Sequence, residues 1–192
     1  MTQMKQILLV GTGPLATGIK MRFQDDSHWS LTQIAGTSEQ LAQINQLQTQ
    51  VPLIIIFALS GHGTDFVIPE VLDHPLVRKG SINRIIMIAT AGIDQEVQGS
   101  LKYNEINDVP EYLREQRYAV KVIDETEVPY TIFRPGDLVA GGTRPINLFA
   151  EGTQMPAGEV SYETMASLVM QAVVTDRFLN QSVGVVASSK EN

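Results

Sequence analysis

Six residues near the start have the types and spacing to do chemistry: Gly11-Thr12-Gly13-Pro14-Leu15-Ala16. They follow the apolar run Ile7-Leu8-Leu9-Val10 and open a helix pattern. In a G-x-G-x-x-G/A turn each small residue has a task. Gly11 permits the tight turn. Gly13 leaves the backbone open to a pyrophosphate, and Ala16 lets the helix pack close to the strand. Pro14 suits the first helical turn, where its missing N–H costs nothing. The helix N-terminus adds free N–H groups and a partial positive charge. With a strand before and a helix after, the spacing predicts dinucleotide binding. The competing reading is a Rossmann-like turn that holds no cofactor.

Other chemistries are narrower. The chain has no cysteine, which excludes disulfides, thiolate catalysis and cysteine-bound metals. His28, His62 and His74 are scattered, with no partner at metal-ligand spacing, so no metal site is expected. Ser60-Gly61-His62-Gly63 follows the apolar strand Leu53–Ala58 and so lies on the ligand side of a parallel sheet. His62 reads as a solvent-facing loop residue before it reads as an acid or base. With Ala58, Leu59 and Ser60, that strand end is expected to pass near the adenosine or pyrophosphate. The acid that binds the ribose 2′-OH of NAD would end the second strand. There the chain reads Ile34-Ala35-Gly36-Thr37-Ser38, with no acid until Glu39. Thr37 and Ser38 at a helix start are able to bond a 2′-phosphate, or simply to cap the helix. The expectation leans to NADP(H) over NAD(H).

These residues need a scaffold. Continuous apolar runs at 7–10, 53–58 and 84–89 read as strands buried on both faces. Trp29–Ile34, Tyr130–Phe133 and Val183–Ala187 supply three more. Helix patterns run from Pro14 to about Gln24, from Thr37 to about Gln48, and from Asp108 to about Glu127. The second carries a Thr37/Gln40 capping box and the third an Asp108 cap. Another helix runs from Ser161 to about Thr175. Residues 65–79 read as a helix interrupted by Pro69 and Pro75. Residues 94–107 and 141–158 read mostly as loops, and Ser188–Asn192 as a frayed tail. Strands alternate with helices, which predicts a doubly wound, mainly parallel α/β sheet. No composition shift divides residues 1–192, so one NAD(P)-binding Rossmann-like domain is expected. Its 192 residues suffice for a sizeable core.

A formal net charge of −7 disfavours nucleic acid and anionic membrane surfaces as partners. No run is long enough to span a membrane, and the first strand begins too early for a signal peptide, so a cytoplasmic protein is expected.

At Tyr130-Thr131-Ile132-Phe133-Arg134-Pro135-Gly136-Asp137-Leu138 the chain resembles atypical short-chain dehydrogenases of the NmrA-like, NAD(P)H-binding kind. Leu113-Arg114-Glu115-Gln116-Arg117 is similar to an LR-x-QR segment of the branch named for NADH-flavin reductases. Val160-Ser161-Tyr162-Glu163-Thr164-Met165-Ala166 is similar to the segment that opens the next helix, with Tyr162 in place of Arg. The resemblance implies a Rossmann fold in which Pro135, Gly136, Asp137 and Leu138 meet the nicotinamide end of the cofactor. It also implies that this chain is shortened: one helix fits between the second and third strands, so an outer strand and helix are lost. An exposed edge left there would invite a homodimer.

The standard mechanism of these dehydrogenases uses Tyr-x-x-x-Lys plus a Ser. Four residues after the five tyrosines stand Asn107, Gln116, Val122, Arg134 and Ala166, and none is Lys. At the Ser position, after Arg84–Ala89, only Thr90 offers a hydroxyl. Thr90 and Gln116 are therefore the candidate catalytic residues. Gln116 falls in the apolar stripe of Val109, Leu113, Val120 and Ile123, so it reads either as facing the pocket or as a buried amide tying its helix to a loop. Arg117, Lys102 and Arg144 are further candidates for the pocket border. The expected function is an NAD(P)H-binding oxidoreductase using a flavin- or quinone-type acceptor. The alternative is a non-catalytic NAD(P)-binding sensor, and the sequence leaves open whether the protein is an enzyme.

Overall fold

The computed structural model describes residues 4–188, and of residues 38–40 only the backbone. Seven strands form the central sheet. They are β1 (Lys5–Val10), β2 (Trp29–Ile34), β3 (Leu53–Phe57), β4 (Ile82–Ile88), β6 (Tyr130–Pro135), β8 (Ile146–Ala150) and β11 (Gln181–Ala187). Their order is β2-β1-β3-β4-β6-β11-β8, and every pair is parallel except β8 with β11. Two short pairs lie apart from the sheet: β5 (Val97–Gln98) with β9 (Met155–Pro156), and β7 (Asp137–Val139) with β10 (Glu159–Ser161). The helices are α1 (Pro14–Phe23), α2 (Thr64–Asp73), α3 (Pro75–Lys79), α4 (Val109–Asp124) and α5 (Tyr162–Val174). This is a Rossmann-type doubly wound sheet, with β2 as one edge and, among the described residues, no further strand outside it.

Alternation along the buried strands builds two cores, because successive side chains point to opposite faces. Ile7, Leu9, Ile54, Ile56, Ile86 and Ile88 pack with α1 and α5 on one face. Leu8, Val10, Ile55, Phe57, Ile85 and Met87 pack with α2, α3 and α4 on the other. Strands buried on both sides must be apolar throughout, which is why their runs are continuous.

The structure departs from expectation in five places. The Thr37–Gln48 segment is not an α-helix but a 3-10 helix over Ser38–Gln46, and the Thr37 side chain caps nothing. The reason lies in the apolar spacing. Leu41, Ile44 and Leu47 recur every three residues, the period of a 3-10 helix, and pack on one core face. Within 141–158, read as loop, β8 pairs antiparallel with β11 as the other sheet edge. Only Ile146 and Phe149 of β8 are half-buried, so no period-two signal marks it. The sixth-strand segment continues through Arg134 to Pro135 rather than ending at Phe133. Helix α4 stops at Asp124. The predicted break at residues 65–79 falls at His74, between α2 and α3, whereas Pro69 is accommodated inside α2. The predicted frayed tail lies outside the described residues after Ser188, whose N–H donates to the Pro145 carbonyl at 2.9 Å.

Candidate functional site

Helices α1 and α2 follow β1 and β3 on opposite faces of the sheet, so the chain ends of these two strands form the switch point of a doubly wound sheet. The Gly11 turn sits there. Ala58 N–H donates to the Val10 carbonyl at 2.8 Å, and Gly11 N–H to the Ile34 carbonyl at 2.8 Å. These bonds draw the ends of β1, β2 and β3 together. A Cβ on Gly11 would lie 2.0 Å from the Ala58 carbonyl oxygen. Gly13 is the opposite case. At φ +90° it has nothing within 4 Å of where its Cβ would stand. Pro14 opens α1, no side chain caps the helix start, and Ala16 is fully buried against the core. An open backbone before an uncapped helix N-terminus fits a pyrophosphate.

From this turn a cavity of about 480 Å³ runs along the ends of β3, β4 and β6. That is within the ~300–1,000 Å³ range of small-molecule sites. It brings together Thr12, Pro14 and Leu15 from the turn, Ala58, Leu59 and Ser60 after β3, Ala89 and Thr90 after β4, and Pro135, Gly136, Asp137 and Leu138. Four stretches far apart in sequence thus meet in one wall. Thr37 is not part of the lining. The side chain of Ser38 lies outside the described residues.

Gln116 is not in the lining either. It is 1% exposed, and its Nε2 donates to Thr64 Oγ1 at 2.9 Å, tying α4 to the start of α2. Its Oε1 has no hydrogen-bond partner among the described residues. The expectation that Gln116 faces the pocket is corrected to the buried-amide reading. Arg117 instead bonds the Ile93 carbonyl and faces Asp94. Lys102 pairs with Glu159 at 2.8 Å outside this cavity, and Arg144 lies outside it as well.

The far wall was not expected from the sequence. Tyr103, Asn104, Glu105 and Ile106 form a strap across the cavity, and Tyr112 of α4 stands behind it. Asp137 holds the strap. Its carboxylate accepts from the backbone N–H of Lys102 at 2.9 Å and of Tyr103 at 2.9 Å. Tyr103 Oη donates to the Ala91 carbonyl at 3.0 Å. Tyr103 and Glu105 both have positive φ, 45° and 68°, so the strap is a strained backbone kept in place by these bonds.

Below the strap lies a buried ion pair. Arg134 is fully buried, donating from Nη1 to Glu96 Oε1 at 2.5 Å and from Nε to Ser182 Oγ at 3.0 Å. Glu96 also accepts from the backbone N–H groups of Gly92 and Asp94. Burial alone would push the Glu96 carboxyl upward. The backbone donors and the Arg134 charge outweigh it, and Glu96 is held below the ordinary carboxylate range. Arg134 is thus a buried anchor for loop 91–96, and not only the end of a strand.

Three rings line up at this end. Tyr112 stands edge-on to Tyr103 at 6.3 Å and to His62 at 5.9 Å. Burial pushes both phenols up to about 12, against an opposing hydrogen bond from Thr90 on Tyr112. His62 is more tightly held than a solvent-facing loop residue. Its Nδ1 lies 3.0 Å from Glu115 Oε1, and Glu115 Oε2 accepts from Gly63 N–H at 2.8 Å.

Residues 21–176 match the NAD(P)H-binding family, and the chain belongs to it. No curated protein matches the sequence. Among solved structures, the chain is similar to a wide-type short-chain dehydrogenase/reductase from Veillonella parvula in complex with NADP. That match has 18% identity and a TM-score of 0.74, covering 98% of this chain and 97% of that one. A Rossmann-fold NAD(P)-binding family protein from Shigella flexneri matches at 17% identity and TM-score 0.74, over 99% of each chain. ChuY, an anaerobillin reductase from Escherichia coli, matches at 14% identity and TM-score 0.74, over 98% of this chain and 100% of that one. At these identities the likeness is one of fold.

Proposed function

We propose that this member of the NAD(P)H-binding family is an NAD(P)H-dependent oxidoreductase, formed by residues 1–192 as one unit, that reduces a planar flavin- or quinone-type acceptor. One observation carries the reading: a single cavity joins the open Gly13 turn to the strand ends at Thr90 and at Pro135–Leu138. When bound, the reduced nicotinamide would supply a hydride with its electron pair to the acceptor, leaving oxidised NAD(P), and the acceptor would take a proton from solvent on a quinone oxygen or a flavin ring nitrogen. The chain's own contribution is to hold, align and exclude water. Gly11, Gly13 and the start of α1 hold the pyrophosphate. Ala58, Leu59 and Ser60 flank the adenosine side, and Ala89, Thr90 and residues 135–138 the nicotinamide side. Protonated at neutral pH, Tyr112 serves as a hydrogen-bond donor, not as a base, while Tyr103 spends its proton on the Ala91 carbonyl.

The absence of an acid at the end of β2 supports NADP(H) over NAD(H), as does the NADP bound by the Veillonella structure. The reading keeps the protein in the cytoplasm, and a homodimer across the β2 edge fits it. Among the described residues, no helix is long and apolar enough to cross a membrane.

The NmrA-like resemblance supports a second reading, a cofactor sensor without chemistry. None of the three cavity tyrosines, Tyr103, Tyr112 and Tyr162, is followed by the usual lysine, and burial holds the phenols of Tyr103 and Tyr112 far above neutrality. Titrating NADPH and NADH against nicotinamide fluorescence tests both readings. Saturation at about 100 times Kd should stabilise the fold by about 3 kcal/mol. No binding of either cofactor sinks both. Binding followed by NADPH oxidation with riboflavin or an uncharged quinone supports the enzyme, and binding without oxidation supports the sensor. Gly13→Val should abolish binding while the circular dichroism of the fold persists. Undiminished affinity would mean that the turn is not the site.

A further inference from the structure

The charge of the cavity wall says more about the acceptor, on the premise that the cavity binds cofactor and acceptor as proposed above. Among the described residues that line it there is no Lys, Arg or His, whereas Glu105 and Asp137 both line the strap end. The cations nearest that end lie outside the lining and face carboxylates: Lys102 is held by Glu159, on which Arg144 also acts, and Arg134 by Glu96. The strap end therefore presents aromatic edges, the Tyr112 phenol and the exposed Glu105 carboxylate, with no cation in its lining. A planar ring system finds apolar faces and a hydroxyl donor there. A phosphate, sulfonate or carboxylate on that ring system finds repulsion and no cationic partner.

We infer that the acceptor end selects uncharged planar carbonyl or isoalloxazine acceptors and excludes anionic ones, with Glu105 as the specificity-determining residue. Glu105 is suited to this task. It is exposed, it lines the cavity, and no hydrogen bond within the strap depends on its carboxylate. Asp137 adds charge but is committed to the Lys102 and Tyr103 N–H groups, so its main work is positional.

Two ligand pairs isolate the charge. Riboflavin and FMN share one ring system and differ by a phosphate. Naphthoquinone and naphthoquinone sulfonate differ by a sulfonate. Equilibrium dialysis, on the protein alone and with saturating NADP⁺, should show each neutral ligand binding about tenfold tighter than its anionic partner at low salt. The gap should shrink as ionic strength rises and the Debye length falls to about 10 Å or less. Glu105→Gln should narrow it, and Glu105→Lys should close or reverse it, with the affinity for riboflavin little changed. Equal or tighter binding of FMN and the sulfonate overturns the inference. So does a gap untouched by Glu105→Lys, and so does a protein that binds NADPH but none of the four ligands. Failure to bind NADPH or NADP⁺ strikes the cofactor reading instead, while the neutral-to-anionic ratio on the protein alone still decides this one.

Discussion

The turn end of the cavity is made of backbone, and the strap end is made of side chains. At the turn, Gly11 is pressed against Ala58 and Gly13 faces open space, and the hydrogen bonds are those of the strand ends. At the strap, Asp137, Glu96, Arg134 and Tyr103 reach across from different elements to fasten residues 91–106. A backbone site tolerates many neighbouring side chains, provided the glycines stay. A side-chain site depends on each fastening, because every buried polar group whose partner is removed costs its full desolvation. Hence, mutations at the turn should act on binding, and mutations at the strap on local order and stability.

The buried ion pair gives the largest expected effect. Glu96→Ala leaves the Arg134 guanidinium buried without its partner and should cost about 3–5 kcal/mol in urea unfolding. The paired change Glu96→Leu with Arg134→Met should recover much of that loss. A wild-type midpoint in Glu96→Ala would show that the strap end does not rest on this pair.

Alkaline pH comes next. Both cavity phenols are pushed up from 10.0 to about 12, so the unfolded chain loses these protons first. Stability is then fully present below pH 10 and falls as pH rises towards 12, on the order of 2 kcal/mol for Tyr112. Tyrosinate absorbance followed alongside unfolding checks this, and Tyr112→Phe should flatten the decline. The acid side has the opposite sign. Glu96 is held below its ordinary 4.5, so its contribution is present above that pH and lost as pH falls through the lowered value.

A more local effect is expected at Asp137. Asp137→Ala strands the Lys102 and Tyr103 N–H groups, at a cost of about 1–3 kcal/mol. Hydrogen exchange at Tyr103 should quicken while β1 and β3 keep their protection. Equal loss in both places would erase the distinction between the two ends. The smallest effect is expected for Glu115→Gln, which keeps an acceptor near His62 and Gly63 and should cost about 1 kcal/mol. Its readout is a small shift of the urea-unfolding midpoint.

The two ends also differ in how far the sequence disclosed them. Gly11, Gly13, Pro14 and Ala16 are contiguous, and their spacing carries its own physical reason. Leu53–Ala58 and Arg84–Ala89 showed where the strands end, which placed Ser60 and Thr90 on the ligand side. The strap left no such trace. Tyr103 and Glu105 sit in a stretch of weak periodicity, and what makes them a wall is a carboxylate at Asp137, more than thirty residues on. Gln116 was ambiguous for the same reason, since a helical stripe cannot tell a pocket from a packed neighbour. Leu41, Ile44 and Leu47 recur at intervals of three, the period of the 3-10 helix that ends at Gln46 with Leu47 as its C-cap. The edge strand β8 had no usable pattern because its half-buried residues, Ile146 and Phe149, are three apart and fall on opposite faces.

By itself, then, the sequence determined the local matters: continuous apolar strands, capped helices at Asp108 and Ser161, and a glycine turn between the first strand and the first helix. Each is set by steric limits and hydrogen bonds between residues a few positions apart. Only the tertiary structure decided that Arg134 anchors a loop through Glu96, that Gln116 is withdrawn to Thr64, and that the cavity's far wall is aromatic and acidic. These rest on contacts between residues 38 and 52 positions apart, whose partners are selected by the packing of helices on the sheet.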